Sequence, residues 1–198
     1  EVSLLDNQGR VYCIEAGGLP SAKSYGDPVT KWLTPASGVK WVSMIDPKAS
    51  SLWYIAGREG FGFMAPKEAF ETRQRRGKAM LTADKAGAPY PLEPITESDQ
   101  VAVVTSMGRL LVMDATELPQ LDKGKGVKLA NCRAGETVID TCVVPAGQGL
   151  VVANGEKTLA RLTPEDVMLY HNKRAASPKQ VAELKNARFD RMVATAAE

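Results

Sequence analysis

The sequence predicts an all-β protein, a propeller-like array of about four four-stranded blades. Three observations support this fold class. The 198 residues include 17 glycines and 12 prolines, which mark frequent turns. Short apolar runs lie between those turns, as strands require. The same order of runs and turns then recurs about every 50 residues, the length of one propeller blade.

The first half of each repeat predicts a hairpin followed by a basic turn. Two apolar runs flank a polar turn that ends in a glycine, and an apolar anchor residue follows. The turn glycines are Gly9, Gly60, Gly108 and, in a fainter fourth copy, Gly155. The anchors are Leu19, Phe70 and Leu118, and the basic turns contain Gly26, Gly77 and Gly126. The regular spacing predicts that these residues occupy equivalent positions in successive blades.

The second half of each repeat predicts two more strands. Gly38 and Gly135 precede apolar stretches in "SGVKWVSMI" and "AGETVIDTCVV". The repeats predict one domain with approximate blades at residues 2–50, 51–100, 101–149 and 150–198. We expect these blades to form an open arc or part of a larger ring. One sheet cannot bury both of its faces, so the blades must stack on their neighbours. A β-sandwich and a pair of small barrels are the alternatives.

The last segment, residues 178–198, permits two interpretations. Val181, Leu184 and Arg188 follow a Ser-Pro pair at helical spacing, which favours a helix. The stretch "ARFDRMVA" can instead form a closing strand. Elsewhere, we expect five residues of strand-like stretches in the core: Cys13, Trp32, Trp41, Trp53 and Cys142.

Composition excludes several classes of protein. Cys13, Cys132 and Cys142 are odd in number and lack metal-like spacing, so the sequence supports neither a disulfide framework nor a zinc site. The sequence contains neither an apolar run of membrane-spanning length nor the pattern of a signal peptide. We expect a soluble, cytoplasmic protein. The chain starts directly in strand-like sequence, which suggests a fragment of a longer protein.

Positive charge is concentrated in four windows, one in each repeat. Residues 21–31 carry a net charge of +1, and residues 71–80, 121–133 and 171–180 carry +3 each. These windows total +10 in a chain whose net charge is +2, so the other residues total −8. Stacked repeats would align the windows into a basic stripe on an acidic body, which suits a bent polyanion.

The candidate binding residues are the lysines and arginines of these windows. They are Lys23, Lys31, Arg73, Arg75, Arg76, Lys78, Lys123, Lys125, Lys128, Lys173 and Arg174. A single basic window is usually a solvated loop, but four windows in register favour a shared surface. Tyr25 and Tyr170 are the only aromatic residues near them, so contact with a duplex backbone is favoured over base stacking.

Two of the repeats carry a family resemblance. "GRVYCIEAGGLPSAKSYGDPVTKWLTP" and "GRLLVMDATELPQLDKGKGVKLANC" resemble the C-terminal repeats of the A subunits of bacterial DNA topoisomerase IV, in the gyrase A superfamily. The resemblance is close from Val2 to about Thr163. It implies a β-pinwheel, whose blades exchange a strand with their neighbours. It also implies binding and bending of double-stranded DNA on a basic rim, in support of decatenation and relaxation.

The resemblance also implies what the chain lacks. The DNA-cleaving tyrosine of the family lies in an N-terminal breakage domain, and the sites for ATP and Mg lie on other domains or subunits. We therefore expect no catalytic residue, cofactor or metal site here. The expected partners are duplex DNA, the breakage domain, the B subunit of topoisomerase IV and a condensin-type protein, in the nucleoid-associated cytoplasm. His171, the only histidine, lies in a basic loop where a surface or phosphate-contact role is expected.

The stretch from Gln74 to Lys78 resembles the wrapping box of gyrase, Q-R-R-G-G-K-G. One glycine is absent and Ala79 replaces the last one. This degenerate box lies in an interior repeat, which favours topoisomerase IV over a DNA-wrapping gyrase domain. Two alternatives of other classes are a protein-binding propeller and a glycan-hydrolase propeller, but the paired carboxylates that a hydrolase needs are not apparent.

Overall fold

Fifteen β-strands and two short helices form the regular structure in a computed structural model that describes residues 1–196. The strands are β1 (Val2–Asp6), β2 (Arg10–Ile14), β3 (Trp41–Ile45), β4 (Leu52–Gly57), β5 (Phe61–Pro66), β6 (Lys78–Ala79), β7 (Glu93–Ile95), β8 (Gln100–Thr105), β9 (Arg109–Asp114), β10 (Val127–Lys128), β11 (Val138–Val144), β12 (Gly149–Asn154), β13 (Lys157–Leu162), β14 (Lys179–Gln180) and β15 (Arg191–Thr195). The helices are α1 (Ala83–Ala86) and α2 (Pro164–Met168). The predicted all-β class is therefore confirmed.

The strands form four antiparallel sheets. Their strand orders are β3-β1-β2-β6, β10-β5-β4-β7, β11-β8-β9-β14 and, for the described residues of the fourth sheet, β13-β12-β15. The fourth strand of each of the first three sheets comes from the next unit along the chain. This is the strand exchange that the family resemblance implies, whereas the repeat pattern alone places all four strands inside one unit. The limits of the individual blades along the chain stay a prediction.

Strand exchange makes the two edges of each of the first three sheets different. We call the edge formed by the exchanged strands β6, β10 and β14 the outer edge. The opposite edge, formed by β3, β7, β11 and β15, is the inner edge. Strand β11 contacts both β7 and β15 across neighbouring sheets, so inner-edge strands of successive sheets converge.

The hairpin turns depend on glycines, at the fourth position of the turn for Gly9, Gly60 and Gly108 and at the second for Gly155. Gly9, Gly60, Gly108 and Gly155 all have positive φ, between 57° and 79°. At Gly9 a Cβ atom would lie 2.2 Å from the carbonyl oxygen of Leu81. The glycine thus permits the turn conformation and the close approach of the exchanged segment. The predicted hairpin at "GREGFG" is also confirmed, between β4 and β5.

The hydrophobic core lies between sheets and joins them in series. Leu5 and Val11 of the first sheet share a cluster with Phe63 of the second. Further clusters join the second sheet to the third and the third to the fourth. Among residues 1–196, no cluster of buried side chains joins the first sheet to the fourth. The four sheets are therefore an open series in their core packing.

Some residues expected in the core are exposed. The anchors Phe70 and Leu118 are buried against the preceding sheet, but Leu19 is 41% exposed. The first unit has no preceding sheet among the described residues, so Leu19 has nothing equivalent to pack against. Trp53 is buried, whereas Trp41 on the inner-edge strand β3 is 37% exposed and contacts Tyr12 edge-on.

The remaining core expectations have mixed outcomes. Cys142 is buried, whereas Cys13 and Trp32 are only half-buried. The C-terminal segment forms the strand β15, so the strand interpretation is correct for Arg191–Thr195 and the helix interpretation is wrong there. Residues 197 and 198 of that prediction lie outside the described part.

Candidate nucleic-acid interface

Three of the four basic windows lead into the exchanged strands. The windows at residues 71–80, 121–133 and 171–180 contain β6, β10 and β14. Each of these strands pairs with the outer hairpin strand of the preceding sheet. The three windows therefore occupy the outer edges of three successive sheets.

The window at residues 21–31 differs from the other three. It contains a single 3-10 turn, Val29–Lys31, and no exchanged strand among its described residues. Lys23 and Tyr25 are exposed in its loop. The sequence gives this window a lower net charge than the others but does not reveal the missing strand, because strand exchange depends on a preceding sheet.

One repeated backbone hydrogen bond links the windows to each other. In each case the donor is the backbone amide of a residue that follows one window or its exchanged strand. The acceptor is a carbonyl oxygen in the next window. The bonds run from Thr34 to Arg75 at 2.7 Å, from Thr82 to Gly124 at 2.9 Å and from Asn131 to Ala176 at 2.9 Å. The four windows are therefore contiguous along the molecule, which their separation in sequence does not reveal.

The cations of this surface are almost free of acidic partners. Lys31 is the only one of the eleven candidates that forms an ion pair with a described residue, with Asp27 at 2.8 Å. Five candidate side chains make no hydrogen bond or ion pair within the described part of the chain: Lys23, Arg73, Arg76, Lys123 and Lys173. The positive charge of the outer edge is thus left uncompensated by the protein.

Other cations are held by neutral groups. Arg75 donates to the carbonyl oxygen of Lys31 at 2.9 Å, and Arg174 donates to that of Lys128 at 2.9 Å. Lys78 donates to the carbonyl oxygen of Glu71 at 2.7 Å. These bonds position the side chains without cancelling their charge.

Two lysines of the third window are also held by neutral groups. The Lys125 ammonium lies 4.9 Å from the centroid of the Phe61 ring, a cation–π contact. Lys128 donates to the side-chain oxygen of Asn131 at 3.3 Å. Their charge also stays available to an anion.

The turn of the degenerate box rests on the first sheet. Gly77 has φ of 66°, and its amide donates to the carbonyl oxygen of Gln74 at 2.8 Å. A Cβ atom at Gly77 would lie 2.7 Å from the Tyr12 ring. Glycine is needed here because the turn must adopt positive φ and lie against that ring.

Sequence reasoning missed Arg10, which follows the turn glycine of the first hairpin. Its Nε donates to the carbonyl oxygen of Arg76 at 3.0 Å, and its Nη2 donates to that of Gly77 at 2.5 Å. Arg10 lies outside the four windows, so the charge pattern could not identify it. Strand exchange brings it to the box from 66 residues away.

The inner edge has the opposite character, with partly buried carboxylates. Glu93 accepts a hydrogen bond from the amide of Val143 at 3.0 Å, and Asp140 accepts one from the amide of Met192 at 2.6 Å. The pKa of Glu93 is raised to about 7, mainly by burial and to a lesser extent by the nearby Asp140 carboxyl group. The hydrogen bond from the Val143 amide acts in the opposite direction. Burial also raises the pKa of Asp140. At a third junction, Ser43 accepts from the amide of Leu92 at 2.8 Å.

Nothing in the described residues resembles a metal centre. No group of three or more His, Cys, Asp or Glu side chains within residues 1–196 is placed to hold a metal ion. Nε2 of the half-buried His171 ring lies 2.9 Å from Oδ1 of Asp114. This histidine therefore contacts a carboxylate of the protein itself. None of the helices in this part of the chain has the length and apolarity to span a membrane.

Known proteins are similar to this chain in sequence and in fold, although no family model matches it. The A subunit of DNA topoisomerase 4 from Pseudomonas aeruginosa is 35% identical over 178 residues, which cover 86% of this chain and 24% of that protein. The Escherichia coli K12 protein of the same name is 31% identical over 173 residues, which cover 84% of this chain and 23% of that protein. The chain belongs to the family of DNA topoisomerase IV A subunits. It spans about a quarter of the length of these relatives.

Solved structures place the chain in one region of that family. The C-terminal domain of E. coli ParC has a TM-score of 0.85 and 29% identity, with 98% of this chain and 81% of that domain covered. A C-terminal domain of DNA topoisomerase IV gives a TM-score of 0.80 at 15% identity, covering 98% of this chain and 63% of that one. The gyrase A C-terminal domain gives a TM-score of 0.72 at 13% identity, covering 98% of this chain and 65% of that one. The last two likenesses concern the fold alone. The β-pinwheel architecture of these C-terminal domains is therefore the architecture of this chain.

Proposed function

We propose that this chain is the duplex-DNA-binding domain of a type II DNA topoisomerase, within the A subunit of topoisomerase IV. One observation carries the proposal: the basic windows are contiguous, three of them lie on the outer edge, and one ion pair with a described residue occurs among the eleven candidate cations. A duplex backbone is a dense line of negative charge, and lysine and arginine binding to it gains free energy from released counterions. Uncompensated cations on successive sheets suit such a ligand.

The proposed contact is with phosphates rather than with bases. Tyr25 and Tyr170 lie near the windows, and the Trp32 and Phe61 rings contact Lys31 and Lys125. These scattered rings do not form a stacking platform. Cations held by carbonyl groups, such as Arg75 and Arg174, fix a register on the backbone without reading sequence. Binding on an open series of sheets would bend the duplex, and we propose that this supports decatenation and relaxation.

We further propose that the domain has no catalytic role of its own. Strand breakage would belong to the N-terminal breakage domain, and the ATP and Mg sites to other domains or subunits. The partners would then be the B subunit in the holoenzyme and a condensin-type protein, in the nucleoid-associated cytoplasm. Because this chain covers about a quarter of its relatives, each of these proposals concerns the longer parent protein.

Salt dependence of DNA binding tests the proposal directly. If about six cations meet phosphates, the logarithm of the affinity for duplex DNA should fall with log salt at a slope near −5. Affinity should then drop about a thousandfold between ~50 and 200 mM salt. Fluorescence anisotropy of a labelled duplex measures both quantities. An absent or salt-insensitive complex would instead favour a protein-binding domain.

A topology assay separates bending from gyrase-type wrapping, the second candidate. The degenerate box, residues 74–78, favours bending because one glycine of the gyrase motif is absent. A nicked circular DNA would be sealed by ligase with and without the protein, and its topoisomers separated on a gel. Bending leaves the linking number unchanged, whereas wrapping shifts it. A shift that grows with protein concentration would favour the gyrase-like function.

A further inference from the structure

Arg10 braces the turn of the degenerate box from the preceding sheet. It is half-buried on the outer hairpin strand β2, opposite Ala79 of the exchanged strand β6. Two of its donors reach the carbonyl oxygens of Arg76 and Gly77. A guanidinium group has five N–H donors, so three of them are not used in these two bonds. The Arg10 side chain also interacts with the Tyr12 hydroxyl, which leaves at least one donor for a ligand.

The turn is held from its other side as well. The amide of Thr34 donates to the carbonyl oxygen of Arg75, so three successive carbonyl groups, those of residues 75–77, accept bonds from the protein. In a trans peptide the N–H points opposite to the preceding C=O. The Arg76 amide therefore points away from Thr34, and no described residue accepts a hydrogen bond from it. The backbone of the turn is thus fixed through its carbonyl groups.

A surface cleft lies beside this turn. Its volume is about 390 Å³, and its lining is Gln8, Arg10, Thr34, Pro35, Ala36 and Arg76. The two arginines are the only charged residues of the lining, and the Arg76 side chain makes no bond to a described residue. The lining thus combines two guanidinium groups with no carboxylate, which suits a phosphate group. The buried Asp6 carboxylate behind it already accepts the amides of Gln8 and Arg10 and the Tyr12 hydroxyl.

Equivalent positions in the next two sheets lack this arrangement. Phe61 replaces Arg10 in the second sheet, where its ring contacts Lys125. Arg109 occupies the position in the third sheet, but it is buried and bonds Glu136 at 2.8 Å. The cleft is therefore particular to the junction between the first sheet and the box.

We propose that the Arg10–Arg76 cleft is a binding site for one phosphate group, and that Arg10 is both a ligand of that phosphate and the brace of the box. The inference deepens the proposed function, because a backbone phosphate of duplex DNA would be the bound group. The Arg76 guanidinium and a free donor of Arg10 would share its oxygens. Arg10 thereby adds a contact that the charge windows do not include.

A double-mutant cycle on the whole chain tests the site. Arg10→Gln and Arg76→Gln are each expected to weaken duplex binding severalfold and to reduce the salt slope by about 0.9, the loss of one phosphate contact. Because both arginines contact the same phosphate, the double variant should bind almost as well as either single variant. Fully additive losses would overturn a shared site. Lys48→Gln, an exposed lysine outside the windows, is the control and should bind like the original protein.

Additional measurements separate a binding role from a structural one. Arg76→Gln should leave the unfolding temperature unchanged, because its side chain has no bond to lose, and Arg10→Lys should keep part of the affinity. Inorganic phosphate is then titrated while the Arg76 amide is followed by NMR. A shift that Arg10→Gln abolishes supports the cleft even if the duplex does not bind, in which case the proposed function alone fails. An unmoved amide in the original protein, or an Arg10→Gln variant that binds DNA normally, would overturn the inference.

Discussion

The outer and inner edges of the second and third sheets differ in charge and in environment. The outer edge presents exposed cations such as Arg73, Arg76 and Lys123, which the protein leaves without acidic partners. The inner edge places Glu93 and Asp140 where they are partly buried and bonded to backbone amides of the next sheet. One edge is thus available to a polyanion, whereas the other connects neighbouring sheets.

This difference explains how a chain of net charge +2 can offer a strongly basic surface. The cations are concentrated in windows along the chain, and the fold brings these windows to one side of the sheets. Burial raises the pKa of both inner carboxyl groups, and because the pKa of Glu93 reaches about 7, the negative charge of that group is disfavoured near neutral pH. The arrangement reduces the attraction that the inner carboxylates would exert on the cations of the outer edge.

The largest effect is expected from removing the outer-edge charge of the box. The triple variant Arg75→Ala, Arg76→Ala, Lys78→Ala should weaken duplex binding about a hundredfold, close to 3 kcal/mol, and reduce the salt slope by about 3. Anisotropy titrations at several salt concentrations measure both. A control with the same charge change, at Lys40, Lys48 and Lys67, should bind almost normally. Equal losses in the two variants would show that net charge, not the outer edge, drives binding.

A smaller effect is expected from disturbing how the box rests on the first sheet. Gly77→Ala should destabilise the fold by about 2 kcal/mol, because the residue has positive φ and its Cβ would meet the Tyr12 ring. Gly135→Ala is the matched control, with φ of 73° and no atom within 4 Å of the added Cβ. It should lose only about 1 kcal/mol, the conformational cost alone. Urea unfolding measures both, and an equal loss would contradict the packing argument.

The smallest effect concerns the inner edge and depends on pH. The pKa of Glu93 is raised to about 7 in the folded state, above its ordinary value of 4.5. The folded state therefore holds the proton more tightly, and this contribution to stability is lost as pH rises from about 4.5 through 7. Glu93→Gln stays neutral and can still accept from the Val143 amide. It should be more stable than the original protein by about 1 kcal/mol at pH 8 and not at pH 4.

Thermal unfolding across this pH range is the measurement for Glu93. Glu68→Gln, which removes an exposed carboxylate, is the control and should leave the pH profile unchanged. A Glu93→Gln profile parallel to that of the original protein would show that the buried carboxyl group does not couple stability to pH. DNA affinity should be nearly unaffected by Glu93→Gln, because the inner edge is not the proposed binding surface.

Much of the fold could be predicted from particular residues. Gly9, Gly60 and Gly108 mark hairpin turns at regular spacing, and their positive φ in the structure confirms this interpretation. Leu19 shows the limit of the same reasoning. It matches Phe70 and Leu118 in position, yet it is exposed, because burial depends on a neighbouring sheet that a local pattern does not specify. The closing strand β15 was likewise ambiguous, since helical spacing and strand propensity compete over so short a segment.

The sequence by itself determined the repeat, the turn glycines and the concentration of cations in four windows, because these depend on residue types at short separation. Only the tertiary structure decided that the windows lie in contact, that Arg10 reaches the box and that Glu93 meets the amide of Val143. Those contacts join residues that are far apart in sequence, from Thr34 and Arg75 to Arg10 and Arg76, through strand exchange and sheet stacking. Local turn chemistry fixes each unit, whereas the pairing of edges between units depends on the packing of the whole chain.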